Sequence, residues 1–300
     1  MPIRAHHIDH IDHIDHIFPI MSINFNSELL DHLPESLALA QRALYYGDSL
    51  FETIRVFNGR IPFMRLHWGR LSEGLQRMGY SVPTDWSADY FKHQIQRIAP
   101  ANARVRWMVW RSPGGLYRPT DDTPQFLLTV QELDSSVFDW NTRGLSIGLC
   151  RSVRLPMDAL SGLKAPNAFR YVAAMQEADA HGWDDAVLLN ACDRLCEATS
   201  SNIFWIKNGT VCTPPLSEGP VTGVARGLLP GLTEAVGLRF EEQIAGFEVL
   251  LTADEVFLTN AVRGIQWVRS CEEKVYDGSQ TNLLHQELVR YVDGFQAGFY

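Results

Sequence analysis

Lysine is rare in this chain. Of 26 basic residues only four are lysines, and their surroundings differ. Lys92 falls on an amphipathic stretch, Lys207 in a turn and Lys274 in an acidic run, where a solvated surface charge is expected. Lys164 stands in Leu160-Ser161-Gly162-Leu163-Lys164-Ala165-Pro166-Asn167, with no acidic neighbour nearer than Asp158. Apolar, small-residue company destabilises an ammonium, lowers its pKa and frees the amine to attack a carbonyl carbon. A second constellation is Cys196-Glu197-Ala198-Thr199-Ser200-Ser201-Asn202-Ile203-Phe204. Its lone carboxylate could hold a heteroaromatic ring nitrogen protonated while small residues let the backbone approach a flat ring. The alternative is a surface glutamate before a Ser/Thr turn. A third group is Arg104, Arg106 and Arg111 on one alternating stretch, with Arg118 beyond it. Arginines on an otherwise apolar strand are costly unless they meet an anion, either a substrate carboxylate or the chain's own Asp and Glu.

These groups need elements to hold them. Phe51 to Phe57 alternates like a half-buried strand, Asn58-Gly59 supplies a hairpin turn, and Ile61 to Met64 reads as the returning strand. Arg65–Met78 and Ala88–Ile98 have helical spacing, and Val105–Trp110 and Gln125–Val130 read as strands. On the first of these two strands, period-2 alternation sets Arg104 and Arg106 on one face and Trp107 and Arg111 on the other. Apolar periodicity lapses over residues 132–141, so that segment is expected to connect an α+β domain at 21–131 to a larger mixed domain at 142–300. Beyond it come a strand at Leu145–Cys150 and a helix at Ala168–His181 stopped by Gly182. Strands are expected at Ala186–Leu189, Ile203–Ile206, Thr210–Cys212, Glu255–Leu258 and Gln266–Arg269. Helices are expected at Val224–Val236, despite Pro230, and at Asn282–Phe295.

Composition narrows the classes. Hydrophobic residues make up 46% and charged residues 20%, enough to bury a core. A net charge of −9 argues against nucleic acid or an anionic bilayer as partner, and no apolar run nears the roughly 18 residues of a membrane span. Residues 1–20, with His6, His7, His10, His13 and His16 in an HID repeat, read as a leader or tag that a transition metal could bind weakly. The five cysteines have no metal-site spacing and suit reduced thiols in a cytoplasmic protein. No metal is expected elsewhere.

The order of landmarks resembles a family. They are Tyr46-Gly47-Asp48-Ser49-Leu50-Phe51-Glu52-Thr53-Ile54-Arg55, His67-Trp68-Gly69-Arg70-Leu71, Leu163-Lys164-Ala165-Pro166-Asn167, Glu197 to Phe204, Thr213-Pro214-Pro215-Leu216, Gly223-Val224-Ala225-Arg226 and Leu258-Thr259-Asn260-Ala261. Together they resemble the fold-type IV pyridoxal-phosphate enzymes: branched-chain aminotransferases, D-amino-acid transaminases and aminodeoxychorismate lyases. The resemblance implies a two-domain α+β fold, a homodimer, and small amino acids and 2-oxo acids as partners.

By position, Lys164 is similar to the family's Schiff-base lysine and Glu197 to the carboxylate on the pyridine nitrogen. Ser201 and Asn202 lie in that same cofactor-binding segment. Arg70 is similar to the arginine that grips the cofactor phosphate, Val224 and Ala225 to the phosphate-binding turn that opens a helix, and Asn260 and Ala261 to a second turn. Relatives commonly carry Thr at Ala225 and near Ala261, so the loss of two hydroxyls implies weaker cofactor retention. Phe51 stands where some D-amino-acid transaminases bind substrate through Tyr. Arg111, then Arg106, are the expected substrate-carboxylate anchors, with Tyr46 and Arg55 as further substrate-side candidates. The leading expectation is a D-amino acid:2-oxo acid transaminase working by a ping-pong mechanism. Branched-chain L-amino-acid aminotransferase and aminodeoxychorismate lyase are the alternatives.

Overall fold

The computed structural model describes residues 23–30 and 42–297. The expected leader at 1–20 lies outside them. Five strands form the first sheet: β1 (Ile23–Phe25), β2 (Glu28–Leu30), β3 (Ser49–Val56), β4 (Ala103–Arg111) and β5 (Pro124–Glu132). Their order is β2-β1-β5-β4-β3, antiparallel throughout. A short helix, α1 (Arg42–Tyr46), precedes β3, and α2 (Met64–Arg77) and α3 (Ala88–Gln96) follow it. Leu71 and Leu75 of α2 and Phe91 and Ile95 of α3 pack with Ile54, Val105 and Trp107 in one buried cluster. The odd-numbered residues of β4 therefore face the helices, while Arg104, Arg106 and Met108 face away, paired across the strands with Arg55, Thr53 and Phe51.

The expected returning strand at Ile61–Met64 is not a strand. The Asn58-Gly59 turn closes with a single bridge between Phe57 and Arg60, and α2 begins at Met64. Pro62 has no N–H for a ladder, and burying Ile61, Phe63 and Met64 in the core takes the place of pairing.

The second sheet is mixed. It holds β6 (Leu145–Leu149), β7 (Asp185–Leu189), β8 (Leu195–Ala198), β9 (Asn202–Lys207), β10 (Thr210–Thr213), β11 (Arg239–Glu242), β12 (Glu255–Asn260), β13 (Gly264–Cys271) and β14 (Lys274–Val275). The path runs β11-β10-β9-β12-β13-β6-β7-β8, with β14 paired to β13. Four helices accompany it: α4 (Phe169–His181), α5 (Val224–Ala235), α6 (Glu248–Thr252) and α7 (Ser279–Ala297). Phe204 and Phe257 pack with Leu229 and Leu288 of α5 and α7, whereas Trp205 and Val256 pack on the other face with Leu250 of α6. Both faces of β9 and β12 are covered, which is why these strands read as continuous apolar runs without alternation. Helix α4 ends where Gly182 turns left-handed at φ 71°.

Candidate functional site

A cavity of about 1130 Å³ is walled by residues of both sheets, among them Phe51, Thr53 and Arg106 from the first and Glu197, Asn202 and Thr259 from the second. Lys164 enters from the segment between β6 and α4. Its carbonyl accepts the Phe51 N–H at 2.9 Å, which fastens that segment to β3. Its Nζ lies 4.7 Å from the centre of the Phe51 ring. Burial and then the positive charge of Arg70 push the ammonium down to about 8, against the opposing pull of Glu52 and Glu197.

Glu197 sits on β8, a strand not anticipated from the sequence, and is 3% exposed, so the surface-turn alternative does not hold. Its Oε1 accepts the Tyr171 hydroxyl at 2.7 Å and its Oε2 accepts the Val221 N–H at 3.0 Å. Burial still lifts it to about 7, with both hydrogen bonds and the charge of Lys164 working the other way. Lys164 and Glu197 thus face one cavity and feel each other's charge.

Arg70 comes from α2. Its Nε and Nη2 both donate to Glu52, and its Nη1 donates to the Thr222 carbonyl at 2.7 Å. A guanidinium carries five N–H groups, so two stay available for an anion. Helix α5 opens close by. Its N-cap is Gly223, which has no side chain to accept from the first-turn N–H groups, and a Cβ there would lie 1.8 Å from Asn202 Oδ1. Asn202 Nδ2 in turn donates to the Val221 carbonyl at 2.8 Å. Gly223 and Val224 reach the cavity wall, while Ala225 is buried one step behind.

Across from it, Asn260 closes its own turn. Its Oδ1 accepts from the N–H groups of Val262 and Arg263, and its Nδ2 donates to Ser201 Oγ at 3.1 Å. Ala261 lines the cavity beside it.

The substrate-side expectations divide. Tyr46, Phe51, Arg106 and Arg111 line the cavity. The Arg106 guanidinium lies 3.7 Å over the Phe51 ring and has no carboxylate partner among the described residues. Arg111 is corrected as an anchor. It points to the helix side of β4, and its guanidinium is taken up by Asp48, Asp122 and the carbonyls of Met78 and Gly79. Arg55 is corrected too. It is buried, donates to the carbonyls of Val262, Ser135 and Val137, and clasps two segments without reaching the cavity wall. Sequence reasoning missed three participants: Glu52, Tyr171 and Arg263. Glu52 had a signal, since strand alternation places it on the buried face, where a carboxylate needs a cation. The other two had none.

The geometry suits a pyridoxal phosphate ring and its phosphate. Glu197 is a buried carboxylate with no ion pair among the described residues, and the phosphate side combines Arg70, an uncapped helix start and a closed turn. Thr259 Oγ1, buried on the same wall, has no hydrogen-bond partner among the described residues.

The sequence pattern of amino-transferase class IV matches residues 49–271. The chain belongs to that family. Within it, the chain is 29% identical over 238 residues to an aminodeoxychorismate lyase of Vibrio harveyi, covering 78% of this chain and 87% of the relative. It is 26% identical over 273 residues to a putative branched-chain-amino-acid aminotransferase of Methanocaldococcus jannaschii, covering 89% and 94%. Among solved structures it matches 4-amino-4-deoxychorismate lyase from Pseudomonas aeruginosa with a TM-score of 0.77 at 26% identity, over 89% of this chain and 98% of that one. An aminotransferase from Brucella abortus bound to PLP shares the fold, with a TM-score of 0.79 at 22% identity over 91% and 100%. The expected fold-type IV, α+β architecture is the one found in this class IV chain.

Proposed function

We propose that this class IV chain is a pyridoxal-phosphate-dependent transaminase that exchanges an amino group between an amino acid and a 2-oxo acid. The carrying observation is that a half-buried amine held near pKa 8 and a buried carboxylate held near 7 face one cavity. The bound cofactor would supply an electron sink for cleavage of a bond at the substrate's Cα. Lys164 would hold the cofactor's aldehyde carbon and move the proton at Cα. Glu197, oriented by Tyr171, would face the ring nitrogen. Arg70 and the start of α5 would take the phosphate. Arg106 would hold the α-carboxylate, because it and Lys164 both reach the Phe51 ring and their charges interact within the same cavity.

Purified protein incubated with the cofactor should turn yellow, and borohydride should fix the colour on one peptide containing Lys164. A protein that takes up no colour rejects the reading. The donor panel pairs D- and L-alanine, leucine and glutamate with an oxo acid. The relatives compared above are an aminodeoxychorismate lyase and a branched-chain aminotransferase, whereas the sequence led to a D-preference, so both enantiomers belong in it. A second reading, aminodeoxychorismate lyase, is supported by the Vibrio and Pseudomonas relatives. It requires pyruvate release without an amino acceptor. We place two domains at 21–131 and 142–300, since each sheet has its own buried cluster. Exposed Leu116, Tyr117 and Phe169, on segments beside the cavity, support a homodimer, which sedimentation would test.

A further inference from the structure

The cavity is strongly cationic for a protein with a net charge of −9. Seven arginines line it against three acids, Asp48, Asp158 and Glu197. Three of the arginines are taken: Arg42 and Arg111 share Asp48, and Arg70 rests on Glu52. Of those left without a carboxylate partner among the described residues, two have a defined setting: Arg106 beside Lys164, and Arg263 on the turn after β12.

Arg263 is held in place without being neutralised. Its Nη2 donates to Ser200 Oγ at 3.1 Å, and its backbone N–H donates to Asn260 Oδ1 at 2.8 Å. The supporting turn is itself fastened from below. The Thr199 N–H donates to Asp185 Oδ1 at 3.0 Å, the Thr199 hydroxyl donates to the same atom, and Asn260 Nδ2 ties the two loops together through Ser201. Asp185, 3% exposed beneath the turn, feels the charge of Arg263 but makes no direct ion pair with it, and the two share the Ser200 hydroxyl. Arg263 is exposed on the cavity wall, and its hydrogen bond to Ser200 biases the guanidinium toward one orientation, which lowers the side-chain entropy lost when it meets a carboxylate. Arg106 comes from β4 of the first sheet and Arg263 from the turn between β12 and β13 of the second, so the cavity that Lys164 enters carries a free guanidinium from each.

We propose that Arg263 is a specificity-determining residue that binds the substrate's second carboxylate, the one remote from the reacting amino group. This rests on the reading of the cavity as the site where an amino acid meets Lys164. It adds that the preferred substrates are dianionic.

The test uses the cofactor-loaded protein, with maleate and propionate as unreactive dicarboxylate and monocarboxylate probes in calorimetric titrations. Arg263→Gln should weaken maleate roughly 10- to 100-fold and change propionate by less than about twofold. Arg263→Lys should recover part of the maleate affinity. In turnover, the KM for glutamate should rise with kcat little changed, while the KM for alanine should stay put. Should Arg263→Gln lose its fold by circular dichroism, Ser200→Ala, which frees the guanidinium but keeps its charge, should still weaken maleate selectively. Equal losses for both probes, or no loss, overturn the proposal while the colour of the holoenzyme leaves the parent reading standing. A colourless protein overturns both.

Discussion

The carboxylate of Glu52 clasps the guanidinium of Arg70 from inside the first sheet: Oε1 accepts Nε–H at 2.7 Å, and Oε2 accepts from Nη2 and also from His67 Nδ1–H. Glu52 is fully buried, and His67 and Arg70 reach it together because they stand three residues apart on one face of α2. Burial alone would raise this carboxyl. The charge of Arg70 and the His67 hydrogen bond reverse that and hold it near 2. The clasp thereby aims the free edge of Arg70 at the proposed phosphate.

Glu52→Gln should therefore act twice. Breaking a buried pair by removing one partner costs about 3–5 kcal/mol, which a denaturant titration reads. Misaiming Arg70 should also weaken cofactor binding about tenfold or more in an absorbance titration. The pH dependence has a definite sign. A carboxyl at about 2 in the fold and about 4.5 unfolded gives stability that is complete above 4.5 and fades as the pH falls toward 2, on the order of 3 kcal/mol. The variant should lack that part of its acid unfolding. An unchanged acid limb would show that the clasp contributes nothing.

Lys164 carries the opposite linkage. Its ammonium is near 8 in the fold and near 10.5 unfolded, so folding is penalised wherever the unfolded chain holds the proton more tightly. The penalty is complete below 8 and disappears as the pH rises past 10.5. Part of the side chain reaches cavity water, so its size is on the order of 2 kcal/mol. Lys164→Met, without cofactor, should be more stable than the parent at pH 7 and should lose that advantage near pH 11. Thermal melts across the range decide it. In the parent, the rate of imine formation with a simple aldehyde should rise with pH and level off above about 8.

Much of the fold was legible because its signals are local. The Asn208-Gly209 turn between β9 and β10 needs left-handed residues, found at φ 50° and 71°, and Gly182 stops α4 for the same reason. Lys164 was legible because a lone lysine among small apolar residues is unusual in itself. What escaped depends on partners far apart in sequence. Arg111 reads like Arg106 along the strand, and only the acids supplied by Asp48 and Asp122 separate a structural arginine from a free one. Strand β8 was hidden because its four residues look like the loop that follows them. The hydroxyl on Glu197 comes from a helix 26 positions earlier, with no local pattern to announce it.

That hydroxyl is testable. Glu197 must be ionised to meet a protonated ring nitrogen, and burial keeps it near 7, so cofactor affinity should fall as the pH drops below 7. The Tyr171 hydrogen bond opposes burial. Tyr171→Phe removes it and should move that acid limb upward by about one pH unit, lowering affinity at pH 7 about fivefold. Titrations of the cofactor from pH 6 to 9 would show the displacement. If the variant binds less tightly by the same factor at every pH, Tyr171 acts through packing and not through the carboxylate.

The phosphate side offers a gain of function. Ala261 is half-buried on the cavity wall, next to a turn that Asn260 already closes, and it brings no hydroxyl to an anion placed there. The parent should therefore release its cofactor on extended dialysis. Ala261→Thr adds one donor at a position with open space in front of it, and a hydrogen bond of this kind contributes about 0.5–1.5 kcal/mol, or roughly two- to tenfold in affinity. The off-rate measured by trapping released cofactor should drop by a similar factor, while the Glu197-dependent acid limb keeps its place, because the added hydroxyl touches the phosphate end and not the ring nitrogen. Tighter binding accompanied by a displaced acid limb would mean that the ring has moved, and would put the phosphate somewhere other than between Arg70, the start of α5 and the Asn260 turn.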